Sequence, residues 1–492
     1  MTNAPIITNF AQARAFCGTL TQPVVFFQPR FRLNMPDMIF LAEALAERFL
    51  PVFLYETETE WRECLIEVYP ALHLWRFLGV GDASNVASAE KQPENTGEAP
   101  ANTTGGRSLY RRVRGVGRQL IAPVTLFQWL IQNTRQKLHL YREVVSLFKP
   151  RGAFLNSDQD GDIYFTTELH RQGVPMIIPP RATANSYQEG KLEMAINRPR
   201  YTHHSRLFQE FTALIFPHTV KRFETRPIFR THPLDIWVQW GFGIQPRSPW
   251  YMGGGKANYL LLPSPRDQAR YEGYGVPRER LIVTGERTDD RLFEALKEQP
   301  LSTARSDGRP LLLWYVPPLP EHGYALTWDE HRRILTEVGL ALKETSAEVR
   351  ACLHPSHGQA WYRALCAELS IPIEERPLLE AIPEGKLFVS WYTNTLQWAL
   401  RCAIPVVMMS MYDTLLPPQI ERWANYYWGS QPELIRTFTA PDLQAEVERL
   451  LHDRDYFAHI KETLAPYSQD DSYFDGCSSQ RLKGTVLRLL SA

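Results

Sequence analysis

Short, almost wholly apolar runs recur along this chain, and each stops at a polar or hydroxylated residue. Val24-Val25-Phe26-Phe27, Val52-Phe53-Leu54-Tyr55, Ala153-Phe154-Leu155, Val174 through Ile178 and Tyr259-Leu260-Leu261-Leu262 are of this kind. So are Leu281-Ile282-Val283, Leu311 through Val316, Val349 through Leu353, Leu387-Phe388-Val389 and Val406-Val407-Met408-Met409. They are too short for buried helices and lack the alternation of a half-exposed strand, so they read as strands buried on both faces of parallel sheets. Helical spacing fills the gaps. After the first run, Met38, Leu41, Ala42, Leu45 and Phe49 share one face, with Asp37 expected to cap that helix. Strand, helix and parallel strand in repetition define a doubly wound α/β architecture.

The rhythm breaks twice. Residues 81–109 are rich in Ala, Ser, Asn, Glu, Gly and Thr and nearly free of large apolar side chains, the composition of a disordered insertion. A helical pattern then runs over 110–148. Around 300–309, Pro, Ser, Asp and Gly mark a linker. The chain therefore divides into a first α/β half over 1–300, a second over 310–455, and C-terminal helices over 456–492 that can cross back to the first half. In open parallel sheets ligands collect outside the carboxyl ends of the strands, so two such halves place a ligand in the cleft between them.

Composition excludes several alternatives. Lysine plus arginine equals aspartate plus glutamate at 54 each, so no global charge points to nucleic acid. No apolar run approaches the ~20 residues of a membrane span, and no secretory leader is evident. The six cysteines are scattered without a CxxC pair. A reducing, cytoplasmic setting is expected, with no disulfide framework and no zinc site.

Two strand ends carry the clearest chemistry. Glu348 through Leu353 runs into His354-Pro355. Leu387 through Ser390 runs through Trp391 and Tyr392 into Thr393, Asn394 and Thr395, then into a helix expected over 394–402. A helix start crowded with hydroxyls can cap itself or bind phosphate, because unpaired N–H groups and the helix dipole favour an anion. An imidazole beside it can donate to a phosphate oxygen and stabilise a departing nucleotide.

Three motifs lie in the same order and spacing as in a known group. Gly275-Val276-Pro277 leads to Leu281-Ile282-Val283-Thr284-Gly285. His354-Pro355 and Ser390 form an HP and S pair. Asp475-Gly476-Cys477-Ser478-Ser479-Gln480-Arg481-Leu482 opens the last helix. Together they resemble the bacterial surface-polysaccharide group of GT-B glycosyltransferases, with capsule-type transferases, CDP-glycerol glycerophosphotransferases and the related UDP-N-acetylglucosamine 2-epimerases. Two positions depart from that pattern. Glu286 stands where the group has Asn or Pro, and Gln397 stands where many UDP-sugar enzymes have a ribose-binding Glu.

The resemblance implies a GT-B fold, two Rossmann-like domains facing a cleft. It implies a glycosyltransferase that moves a sugar from a nucleotide-activated donor to a surface glycan or glycoconjugate, with inversion and without a metal or other cofactor. A CMP-linked acidic sugar suits the HP and S motifs best. His354, Ser390, Thr393, Asn394, Thr395 and Gln397 would hold the nucleotide. Asp158, Asp160 and Glu189 are candidates for the base that takes the acceptor's proton, and Arg30, Arg32 and Arg181 for acceptor contacts. The basic stretch 107–118 could rest on an anionic inner membrane leaflet. A nucleotide-sugar epimerase and an inactive nucleotide-sugar-binding protein remain the alternatives; the epimerase's acidic pair has no obvious counterpart here.

Overall fold

In the computed structural model, the described residues are 4–29, 35–57, 68–78, 108–159, 162–180, 206–223, 226–298, 308–321, 327–354, 359–391, 393, 395–415, 434–469 and 473–491; side chains are described over most of these. Each apolar run named above is a strand within a residue or two. The first half contains β1 (Ile6–Ile7), α1 (Phe10–Cys17), β2 (Val24–Gln28), α2 (Met35–Leu45), β3 (Leu50–Tyr55), β4 (Ala71–His73) and α3 (Ser108–Phe148). It continues with β5 (Gly152–Leu155), α4 (Ile163–Arg171), β6 (Met176–Ile178), α5 (Arg206–Ile215), β7 (Val220–Phe223), β8 (Arg226–Phe229) and α6 (Pro233–Gly241). It closes with β9 (Tyr259–Leu262), α7 (Pro265–Gly273), β10 (Leu281–Val283) and α8 (Arg287–Glu298).

The second half runs β11 (Leu311–Val316), α9 (Trp328–Lys343), β12 (Glu348–Leu353), α10 (Gln359–Glu368), β13 (Leu387–Ser390), α11 (Leu396–Arg401), β14 (Val406–Met409) and β15 (Ile435–Thr437). Three helices end the chain: α12 (Ala440–His452), α13 (Arg454–Gln469) and α14 (Ser478–Ser491).

Eight strands form the first sheet in the order β1-β4-β3-β2-β5-β6-β9-β10, and five form the second in the order β12-β11-β13-β14-β15. Every pairing within them is parallel. Both faces are covered, as such sheets require. On one face of the first sheet Phe26, Leu54 and Leu155 pack under α3 and α4; on the other, Phe27, Phe53 and Phe154 stack with centroids 5.1 and 4.8 Å apart. The latter face is completed by Leu482, Val486 and Leu490 of α14, so the last helix lies on the first sheet. Arg151 Nε donates to the Leu490 carbonyl at 2.8 Å.

Each sheet has a point where strand order reverses, between β2 and β5 in the first and between β11 and β13 in the second. A crevice opens outside the carboxyl ends of the strands at such a point, which makes these the places for ligands.

The differences from expectation have physical causes. α2 begins at Met35, so Asp37 sits in its first turn rather than capping it, and its carboxylate instead accepts from Arg287 Nε at 2.9 Å. α11 is six residues long, shorter than 394–402, and Thr395 before it makes no side-chain cap bond. The unread span between β6 and β9 holds α5, the β7–β8 hairpin and α6, a small unit with its own core of Ala213, Phe216, Phe229 and Ile236. The segments 81–107 and 299–307 lie outside the described residues, as do the side chains of 107–118. Among the described residues no helix is long and apolar enough to cross a membrane. The described cysteines are free; burial pushes the Cys352 thiol up to about 12, so it is protonated and inert at neutral pH.

Candidate functional site

Glu286 follows β10 at the carboxyl edge of the first sheet, and Gln397 lies in the first turn of α11 at the carboxyl edge of the second. Gln397 Nε2 donates to Glu286 Oε2 at 3.2 Å. This bond ties the carboxyl edges of the two sheets together. Burial and the neighbouring Asp37 carboxylate raise the Glu286 pKa, against the pull of Thr288, Arg401 and Gln397. Close by, Arg401 of α11 and Asp289 of α8 form an ion pair at 2.9 Å with side chains 9% and 1% exposed. Gln397, read from sequence as a ribose contact, therefore spends its amide on the first half of the chain.

The same node takes in the C-terminal motif. Asp290 accepts from the backbone N–H groups of Ser478 and Ser479 at 2.8 and 2.7 Å, so it caps the start of α14. Arg481 donates to the Thr284 carbonyl at 3.1 Å and pairs with Asp475 at 2.6 Å. Gly285 has φ +82°, and a Cβ there would lie 2.2 Å from Ser478 Oγ, so this position needs glycine both for conformation and for space. Two motifs nearly 200 residues apart in sequence are thus a single contact.

Across the reversal point of the first sheet, the strand ends present His73 (β4), Glu56 (β3), Gln28 (β2) and Asn156 to Asp158 (β5). Gln28 is fully buried and donates from Nε2 to Glu56 Oε1 at 3.0 Å; the Tyr141 hydroxyl of α3 donates to the same oxygen. Glu56 is half-buried. Burial and the nearby Arg76 push His73 down to about 4, so it is neutral at pH 7. Sequence reasoning missed Glu56; the signal for it was a carboxylate directly after an apolar run.

Asp158, an expected base, meets a different geometry. It is 1% exposed, and its two oxygens accept from the backbone N–H groups of Gly253 (2.9 Å), Gly255 (2.9 Å) and Ala257 (3.3 Å). Burial pushes its carboxyl up while these amides and Arg280 pull it down. A Cβ on Gly255 would lie 2.1 Å from the Asp158 carbonyl oxygen and one on Gly254 2.2 Å from the Ser248 carbonyl oxygen, while Gly253 has φ +82°, which together account for the glycine run at 253–255. Asp158 is an anchor for that loop, enclosed where an acceptor hydroxyl cannot reach. Asp160, Glu189, Arg30, Arg32, Arg181 and Asn394 lie outside the described residues.

On the second sheet, His354 is half-buried at the end of β12, and its carbonyl accepts from Gln359 Nε2 at 3.2 Å. Ser390 is fully buried and donates to the Trp391 carbonyl at 2.6 Å, so its hydroxyl proton is held by the main chain. The Thr393 and Thr395 hydroxyls lie 3.2 Å apart, and Thr393 also meets the Tyr315 hydroxyl, which bridges β11 and β13 at the reversal point.

A buried aromatic shell that sequence reasoning did not find lies below these residues. His331 of α9 sits between the hydroxyls of Tyr362 (3.3 Å) and Tyr412 (3.4 Å), with Trp361 stacked on its ring. Tyr362 also donates to Glu321 Oε2 at 2.7 Å. The shell joins elements that follow β11, β12 and β14.

Burial pushes His331 down to about 4. Between about pH 6.5 and 4 the unfolded chain binds a proton at this histidine that the folded one does not, so stability falls as pH falls through that window. Asp235, pushed up to about 6 by burial, has the opposite sign. The measurement is therefore a difference: melting temperature against pH for the parent and for His331→Gln. A flatter acid limb is expected in the variant, and parallel curves would contradict the assignment.

No protein-family model matches this chain, and no curated protein matches it. Among solved structures, the calicheamicin glycosyltransferase CalG4 aligns over 96% of this chain and 99% of its own, with TM-score 0.50 and 12% identity. The UDP-GlcNAc 2-epimerase from Neisseria meningitidis bound to UDP-GlcNAc aligns over 94% and 99%, with TM-score 0.45 and 12% identity. The wall teichoic acid polymerase TagF aligns over 98% and 93%, with TM-score 0.45 and 8% identity. The likeness is one of fold. The fold is GT-B: two Rossmann-like halves with parallel sheets, as the motif resemblance implies.

Proposed function

We propose that this protein is a glycosyltransferase that moves a sugar from a nucleotide-activated donor to a glycan or glycoconjugate acceptor. The observation that carries the reading is the Gln397–Glu286 hydrogen bond, which brings the carboxyl edges of two parallel sheets to one place. The second half takes the nucleotide, with His354 and the Thr393–Thr395 turn beside its phosphates and the Tyr315, Tyr362 and Tyr412 shell beneath. A CMP-linked acidic sugar is the donor we favour. The first half takes the acceptor.

In the reaction the acceptor hydroxyl attacks the anomeric carbon, and the bond from that carbon to the phosphate oxygen breaks. The electron pair leaves with the nucleotide, and the anomeric configuration inverts. His354 donates to the leaving phosphate. With Asp158 enclosed, Glu56 is the carboxylate we assign to the acceptor's proton, positioned by Gln28 and Tyr141.

Thermal shift with CMP, CDP, UDP and GDP tests the reading. A ligand at about 100 times its Kd stabilises by about 2.7 kcal/mol, so one nucleotide should raise the melting temperature by several degrees. His354→Ala should lose that shift with its own melting temperature unchanged. Glu56→Gln should keep the shift and lose release of nucleotide from the matching sugar donor, by about 100-fold or more. The absence of a shift with all four nucleotides would overturn the reading.

A further inference from the structure

The unit inserted between β6 and β9 presents an unusual surface. On α5, Thr212 and Ala213 face inward. The outward side carries Leu207, Phe211, Leu214 and Ile215, which at 100° per residue form one continuous face. Leu207 and Leu214 are 83% and 76% exposed. Phe211 stacks on Trp237 at 5.7 Å, Trp237 meets Trp240 at 6.2 Å, and Trp240 is itself exposed, so the apolar face continues onto α6. Scattered exposed apolar residues need no explanation, but a contiguous set of this size marks a contact surface.

Amphipathicity and charge select the occupant. A helix with one continuous exposed apolar face and basic residues nearby is of the kind that lies in the interface of a lipid surface. Residues 206–241 hold five basic residues (Arg206, Lys221, Arg222, Arg226, Arg230) against three acidic (Glu210, Glu224, Asp235), a net of +2. Glu210, on α5 itself, is answered by Arg222 at 2.9 Å. Arg206, next to Leu207 in the chain, and Lys221 are exposed. Trp240 is of the type enriched where acyl chains meet headgroups.

We propose that the face formed by Leu207, Phe211, Leu214, Ile215 and Trp240 docks this protein on an anionic phospholipid bilayer, with α5 lying in the plane of the membrane surface. The assignment does not depend on the proposed catalytic reading. It concerns a different segment from the basic stretch 107–118 that the sequence suggested for membrane contact.

Co-sedimentation of the full chain with phosphatidylcholine vesicles, plain or containing about one quarter phosphatidylglycerol, tests it. Binding is expected to the anionic vesicles and to weaken with salt. Leu207→Glu with Leu214→Glu should lower partitioning by at least about tenfold with no drop in melting temperature, since both side chains are exposed. Arg206→Glu with Lys221→Glu should abolish the preference for anionic vesicles. Three results would overturn the proposal: no vesicle binding by the parent, equal binding by the Leu207→Glu/Leu214→Glu variant, or self-association of the parent that this variant removes, which would make a second copy the occupant.

Discussion

Arg401→Ala is expected to lower the free energy of unfolding by about 3–5 kcal/mol, because it removes a buried ion pair from the Asp289 carboxylate. The pair joins α8 to α11, so the loss falls on the junction between the halves. Asp289→Ala should cost less, since the guanidinium keeps the nearby Glu286 carboxylate and lies 4.9 Å over the Phe474 ring. Removing both should cost clearly less than the sum, because the two residues are in direct contact and share the lost ion pair. Denaturant unfolding followed by tryptophan fluorescence and far-UV circular dichroism measures all three. Single variants within about 1 kcal/mol of the parent would place the pair among the weak surface pairs and contradict its burial.

The second large effect concerns Asp158. Asp158→Ala leaves three enclosed backbone N–H groups, those of Gly253, Gly255 and Ala257, without an acceptor. At about 1–3 kcal/mol for each stranded donor, the variant should lose at least about 3 kcal/mol. Asp158→Asn keeps one acceptor oxygen but turns an amide N–H₂ toward another donor, so an intermediate loss is expected. The result separates two roles. An anchor loses stability in both variants. A catalytic base leaves Asp158→Asn as stable as the parent, with turnover gone.

Much of the fold was legible because its evidence is local. A run such as Leu387-Phe388-Val389 has no stable place except a sheet buried on both faces, and β13 spans Leu387–Ser390. β11 through β14 were found for the same reason. The short edge strand β1, two residues long, carries no pattern to read and is a strand only because Ile6 and Ile7 pair with Ala71 and Leu72. The site was less legible, because its residues meet through tertiary contact. The Thr284-Gly285 and Asp475-to-Arg481 motifs were visible as patterns, but nothing local says that Arg481 holds the Thr284 carbonyl. The two departures from the family pattern, Glu286 and Gln397, looked like independent losses and are partners of each other. Asp158 had the residue type and strand-end position of a base. Its true surroundings come from a loop about 95 residues later, beyond the reach of any local rule.

The placement of α14 on the first sheet bears on how the chain folds as it is made. Leu482, Val486 and Leu490 cover the same face as Phe27, Phe53 and Phe154. Domains usually fold as units, the N-terminal one first, as a chain leaves the ribosome. Here α2 covers part of that face, and the rest is completed only by α14, which is made after the whole second half. The first half therefore closes its core across everything synthesised in between. Truncation before Leu482 should lower the yield of folded protein through the first half rather than the second.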